Sequence, residues 1–226
     1  YASFSGWTDE YGRYTGSSGS LISHPLDIIS HFNDYYAGVT PYGKAKFNEA
    51  NINFIKSRTN HYTASVLIRE PMTIYELIKS MNQQFGFHSY YKNGTIYFAI
   101  IDGTYVSYEN PISESLNLLK GIKQDSIGYK DLYNEIRYNY GRNFLNDKYD
   151  YSIVLNSSNN RYCAQAEKLF GGKKQFSVDC NYLNSSGIAA EVANRMSKIL
   201  CSKKNEYSLS VRPIEGITFE PGMFVP

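Results

Sequence analysis

Thr73-Ile74-Tyr75-Glu76-Leu77-Ile78-Lys79-Ser80-Met81-Asn82-Gln83-Gln84-Phe85-Gly86, followed by Phe87 to Tyr91, Asn93-Gly94 and Thr95 to Ile101, is the stretch that decides the fold class. Thr73 and Glu76 stand three apart, the spacing at which each side chain satisfies the other's free backbone N–H at a helix start. Ile74, Leu77, Ile78, Met81 and Phe85 then share one helical face, and Gly86 supplies a left-handed exit. Asn93-Gly94 tolerates the two positive φ angles of a type I′ turn, so the flanking runs are predicted to pair as a hairpin. A helix feeding a hairpin directly makes this part of the chain α+β.

Working outward from it, a first helix is expected from Pro25, which suits the first helical position because its missing N–H is not needed there. Ser23 or His24 precedes it, Asp27 faces the positive end of the helix dipole, and Ile28, Ile29, Phe32, Tyr35 and Tyr36 follow at three-to-four spacing up to Gly38. Ser57 to Arg69 reads as an earlier strand. Residues 1–20, with Thr15-Gly16-Ser17-Ser18-Gly19-Ser20, have loop composition and read as a linker from a preceding domain. Residues 21–107 then read as a small α+β domain and 108–226 as a β-rich one. In the latter, Asn134 to Tyr140 alternates with Ile136, Tyr138 and Tyr140 on one face, and Lys148 to Leu155, Gln175 to Tyr182 and Tyr207 to Ile214 read as further strands. One long helix is predicted over 186–202, with Ile188, Val192, Met196, Ile199 and Leu200 on a common face and Asn184 to Ser186 as its cap. The fold class expected is therefore α+β, a helix-and-hairpin unit followed by a mainly β unit carrying one helix.

The 226 residues suffice for one large or two small domains with a hydrophobic core. With 23 Lys+Arg against 21 Asp+Glu the formal charge is only +2, which argues against a dedicated nucleic-acid binder. Tyrosine is the unusual component, 22 residues against a single Trp. A bias toward Tyr, Asn, Lys, Ile and Phe fits AT-rich codons, and tyrosines pack well on pleated surfaces. Rigid amphipathic rings also suit sugar-stacking or protein-binding surfaces. Cys163, Cys180 and Cys201 contain no C-x-x-C and are odd in number, so a fully paired disulfide framework is excluded and unpaired thiols are expected. No stretch approaches the apolar length of a membrane-spanning helix, and no signal-peptide pattern is visible. Tyr1 at the start and apolar sequence to Pro226 at the end suggest a piece of a longer polypeptide.

No motif announces catalysis. His24 and His31, seven apart, fall on one side of the first helix, but nothing at ligand spacing completes a metal site with them, and His61 and His88 lie elsewhere. H-E-x-x-H, G-x-S-x-G and the P-loop are all missing, and Gly16 to Gly19 follows no strand. The carboxylates Asp9, Glu10, Glu70, Glu109, Glu114, Asp125, Asp131, Asp147, Asp150 and Asp179 are scattered and read as solvated turn residues. Asn93, Asn156 and Asn184 sit in glycosylation sequons, meaningful only in a glycosylating pathway. No catalytic, cofactor-binding or metal residue is assigned, and the chain is read as not an enzyme.

Taken in order, several segments resemble the hub protein at the tail tip of tailed bacteriophages. Ile22-Ser23-His24-Pro25-Leu26-Asp27-Ile28-Ile29 resembles that family's I-x-N-P-x-D-I-I helix start, and Phe47-Asn48-Glu49-Ala50 its F-x-x-A segment. Thr73 to Phe85, with Gly94 and Tyr97 to Ile100, is similar to the family's helix and following strand. Asn134 to Tyr140 resembles N-x-v-x-v-x-Y, the first strand of a tube-forming β-domain, and Ile188 to Leu200 resembles the A-x-x-x-A-x-x-l-L helix. Phe219-Glu220-Pro221-Gly222-Met223-Phe224-Val225 is similar to l-x-x-G-D-x-V. The chain departs from the pattern at Met223, where Asp is usual, and at His24, where Asn is common. The resemblance implies a virion structural protein, a baseplate or tail-tip hub assembled in the bacterial host cytoplasm. It also implies a homotrimer, a tube-type β-barrel-like domain, contacts to other tail proteins, and a lumen that passes DNA or tape-measure protein without binding it specifically. The rival reading is a carbohydrate- or cell-surface-binding module, motivated by the tyrosines, the asparagines and Trp7.

Overall fold

The computed structural model describes residues 6–35, 45–68, 70–100, 118–126, 132–202 and 205–211, with backbone alone for 118–126, 170 and 205–211. The architecture is mixed α+β: five helices and several small sheets, with no closed barrel among the described residues. The chain gathers into two compact units, each discontinuous in sequence. One collects Tyr1–Ile100, Tyr138–Ile153 and Val178–Val192; the other collects Ile101–Arg137, Val154–Ser177 and Ala193–Pro226.

The first unit opens on a short antiparallel pair, β1 (Thr8–Asp9) and β2 (Ser20–Leu21). Helix α1 (Pro25–Tyr35) starts at the predicted proline. Gly38, its expected terminator, lies outside the described residues. Helix α2 (Glu49–Arg58) overturns part of the expected strand at Ser57 to Arg69. Residues 62–68 belong to no helix or strand and are tied by Ala64 N–H to the Ser23 carbonyl and Ser65 N–H to the Tyr182 carbonyl. The apolar alternation that suggests a strand comes from Tyr62 and Ala64, which are buried while their neighbours His61, Thr63 and Ser65 are exposed.

Helix α3 (Ile74–Phe85) carries both halves of the capping box and ends at Gly86 with φ 67°, in the left-handed region. It buries Leu77, Ile78, Met81 and Phe85, and the Phe85 ring lies 6.0 Å from Tyr62 and 6.2 Å from Phe87. Strands β3 (Phe87–Lys92) and β4 (Thr95–Ile100) pair antiparallel about the predicted turn, and Asn93 and Gly94 take φ of 49° and 76° as a type I′ turn requires. The outer edge of β4 is covered. Phe47 bridges Ile96, while the Asn51 side chain donates to the Phe98 carbonyl (3.0 Å) and accepts from its N–H (2.7 Å), as a neighbouring strand would. Capping an edge in this way removes a template for unwanted pairing.

Beyond residue 117, β5 (Leu118–Ser126) pairs antiparallel with β9 (Asn205–Val211), with register irregularities near Lys120. Strands β6 (Glu135–Asn143), β7 (Lys148–Leu155) and β8 (Gln175–Asp179) form a three-stranded sheet in the order β7-β6-β8. The alternation expected for β6 is seen, with Ile136, Tyr138 and Tyr140 all buried. Helix α5 (Ser186–Leu200) occupies the expected span. Helix α4 (Arg161–Phe170) was not expected; Asn160 caps it by accepting from the Tyr162 and Cys163 N–H groups, and Gly171 at φ 68° ends it. The turn segment Phe219 to Val225 lies outside the described residues. Among the described residues no helix is long and apolar enough to cross a membrane.

Candidate binding cleft

The site grows from one carboxylate. Asp9, expected to be a solvated turn residue, is buried at the end of β1 and organises the loop that follows. Its oxygens accept from the N–H groups of Arg13 (2.9 Å), Tyr14 (2.7 Å) and Thr15 (2.7 Å) and from the Thr15 hydroxyl (3.0 Å). Burial pushes its pKa up, but these four donors outweigh it and the carboxyl titrates below its ordinary value. Gly12 at φ 69° permits the bend, and a Cβ there would come within 3.1 Å of the Ser18 nitrogen. The loop thereby sets Arg13 and Tyr14 against α1, where Trp7 also packs.

The face of α1 that meets them carries His31 and Tyr35, four residues apart and therefore stacked on one side. The His31 ring lies 4.5 Å from Tyr35 and 5.3 Å from Trp7, and Tyr14 approaches it edge-on at 5.3 Å. Trp7 and Tyr35 complete the group at 5.7 Å. Tyr14 is held in place by donating its hydroxyl to Asp34 (2.8 Å), which also pairs with Arg13 (3.1 Å). Burial and that acceptor push the Tyr14 hydroxyl up to about 12, so it stays a donor. His31 is 8% exposed, and neither ring nitrogen has a hydrogen-bond partner among the described residues. Burial lowers its pKa, more than Asp34 and Asp9 restore, which favours the neutral imidazole.

These side chains frame a cleft of about 680 Å³ whose walls include Trp7, Thr8, Glu10, Tyr11, Arg13 and Tyr35. A second, more apolar hollow of about 550 Å³ shares Trp7 and His31 and is bounded by Ile28, Phe32, Leu67 and Met72. Both volumes lie in the range of small-molecule sites. No family model and no curated protein matches this chain. The cleft's geometry is therefore the ground for any reading of it.

The other residues singled out in the sequence fall elsewhere. His24 and His31 are engaged separately. His24 accepts from Leu26 N–H at Nδ1 (3.2 Å) and meets Thr59 Oγ1 at Nε2 (3.1 Å). His61 contacts Glu191 (2.7 Å), and His88 is exposed on β3. No group of three or more His, Cys, Asp or Glu that could hold a metal ion occurs among the described residues. Glu10, Glu70 and Asp150 are exposed, Asp147 pairs with Arg142, and Asp179 accepts from Asn139 (2.7 Å). Glu109, Glu114 and Asp131 lie outside the described residues. Cys163, Cys180 and Cys201 are free and buried. Trp7 is visible in the sequence as a binding candidate; His31, Tyr35, Tyr11 and Tyr14 were not joined to it. The four-residue spacing of His31 and Tyr35 is the one local signal that could have done so.

Proposed function

We propose that the chain is a structural segment of a bacteriophage tail-tip hub, acting by oligomerisation and by docking to the tail tube, with no catalysis in these residues. The ordered series of motifs from Ile22 to Val225 motivates the reading. The observation that supports it best is the state of the strands beyond residue 117. Strands β5 and β9 form a ladder of only two, and β7 and β8 each have one partner, so every one of these sheets is open among the described residues. A two-stranded ladder is marginal in water, and unpaired edges invite pairing with another chain. In a ring of copies those edges would be joined and residues 108–226 would contribute to a tube-type β-domain. A homotrimer around a lumen is the stoichiometry this reading carries.

Amide hydrogen exchange tests it. If copies join through these strands, protection of residues 118–126 and 205–211 rises with protein concentration over the micromolar range. Protection that is the same at every concentration would contradict assembly through these edges.

A further inference from the structure

We propose that the cleft framed by Trp7, Tyr11, His31 and Tyr35 is a binding site for a neutral saccharide unit. This goes beyond assembly and does not depend on it, since it rests on the cleft alone.

Three of its rings stand unusually open: Trp7 is 57% exposed, Tyr11 88% and Tyr35 55%. Large aromatic side chains normally gain by burial, so a group of them turned toward one hollow marks an interaction surface. Flat, rigid rings offer the C–H faces of a pyranose a stacking platform at little entropic cost. The hollow, about 680 Å³, accommodates a ligand of small-molecule size.

Its polar groups select among ligands. Arg13 brings donors and Glu10 acceptors to the same wall, matching hydroxyls that both donate and accept. A quaternary cation would meet the Arg13 guanidinium, which lies 5.6 Å over the Tyr14 ring. A phosphate would meet Glu10 and the buried carboxylate of Asp9. A neutral polyhydroxylated ligand can accept from Arg13 and donate to Glu10 without bringing a charge against either. The second observation is His31 itself. It lines the same cleft, is more than nine-tenths buried at 8% exposure, and has both nitrogens unpartnered among the described residues. Leaving such atoms unpaired is costly, and a hydroxyl can serve either imidazole nitrogen.

Trp7 is the chain's single tryptophan, so its emission reports on the two hollows it lines, and the Tyr11 variant assigns a response to this cleft. The test is a fluorescence titration of the full chain with a panel of neutral and N-acetylated sugars, including N-acetylglucosamine, chitotriose, cellotriose and maltotriose. Tetramethylammonium chloride and inorganic phosphate serve as contrasting probes. The expected result is a saturable change with at least one sugar and none with the other two probes. Tyr11→Ala and Tyr35→Ala should each weaken that binding about threefold to tenfold. Tyr75→Ala, which removes a ring that is 70% exposed on α3, should leave it unchanged. Because Tyr11 is almost wholly exposed, its loss does not threaten folding. Three results overturn the proposal: no saturable change across the sugar panel, saturation that both cleft variants leave intact, or a response to tetramethylammonium or phosphate alone.

Discussion

His24 closes the start of α1 in a way that fixes its protonation state. Its Nδ1 accepts from Leu26 N–H, so the ring proton sits on Nε2 and is donated to Thr59 Oγ1, whose own proton goes to the Ile55 carbonyl (2.8 Å). Burial first, then the charge of Lys56, lower its pKa to about 4. An unfolded histidine titrates near 6.5, so between these values the unfolded chain binds more protons than the folded one. The stability is complete above about pH 6.5 and is lost as the pH falls toward 4, by roughly 3 kcal/mol for this group. His24→Asn keeps a side-chain acceptor for Leu26 N–H and removes the titration. Urea midpoints at pH 7 and 4.5 should therefore differ less in the variant than in the parent chain. Close by, Lys56 pairs with Asp27 at 2.6 Å, with side chains only 20% and 6% exposed, and donates to the Tyr14 carbonyl. Lys56→Met strands a buried carboxylate, and a loss of about 3–5 kcal/mol is expected in chemical denaturation. Adding Asp27→Asn should recover much of it, because the uncompensated charge is then gone.

At the scale of elements, legibility followed how local each rule is. The capping box of α3, the Asn93-Gly94 turn and the alternation of β6 each depend on residues within a few positions of one another, and each appears where expected. Helix α2 was hidden because only Ile52 and Ile55 of it are buried, too narrow a face to show periodicity. Helix α4 was hidden because what it buries, Cys163 and Ala166, is small. The cleft was the least legible. Asp9 builds its loop through backbone amides, which carry no side-chain signature, and Trp7 meets His31 across 24 positions of sequence. Two predictions belong here. Asn51→Leu removes the side chain that pairs with both backbone groups of Phe98, which should cost about 1–3 kcal/mol and raise light scattering on warming as the β4 edge is freed. The three thiols are buried, and burial raises the pKa of each. Ellman's reagent at pH 8 should therefore count close to none in the native chain and all three in denaturant.

At the scale of the molecule, the hub reading concerns exposed apolar side chains and the strand edges that are open among the described residues. Tyr91, Leu145 and Tyr151 stand 72%, 91% and 60% exposed. Tyr151 lies on the edge strand β7, stacked on Tyr140 at 5.4 Å, with its outer face free to meet another chain. On the proposed hub reading, exposed tyrosines of this kind would lie in contacts between copies. Native mass spectrometry of the chain at micromolar concentration tests the hub reading most directly. The account predicts a dominant species at three times the 25.8 kDa chain mass, dissociating on dilution. A single 25.8 kDa species at every concentration would contradict it.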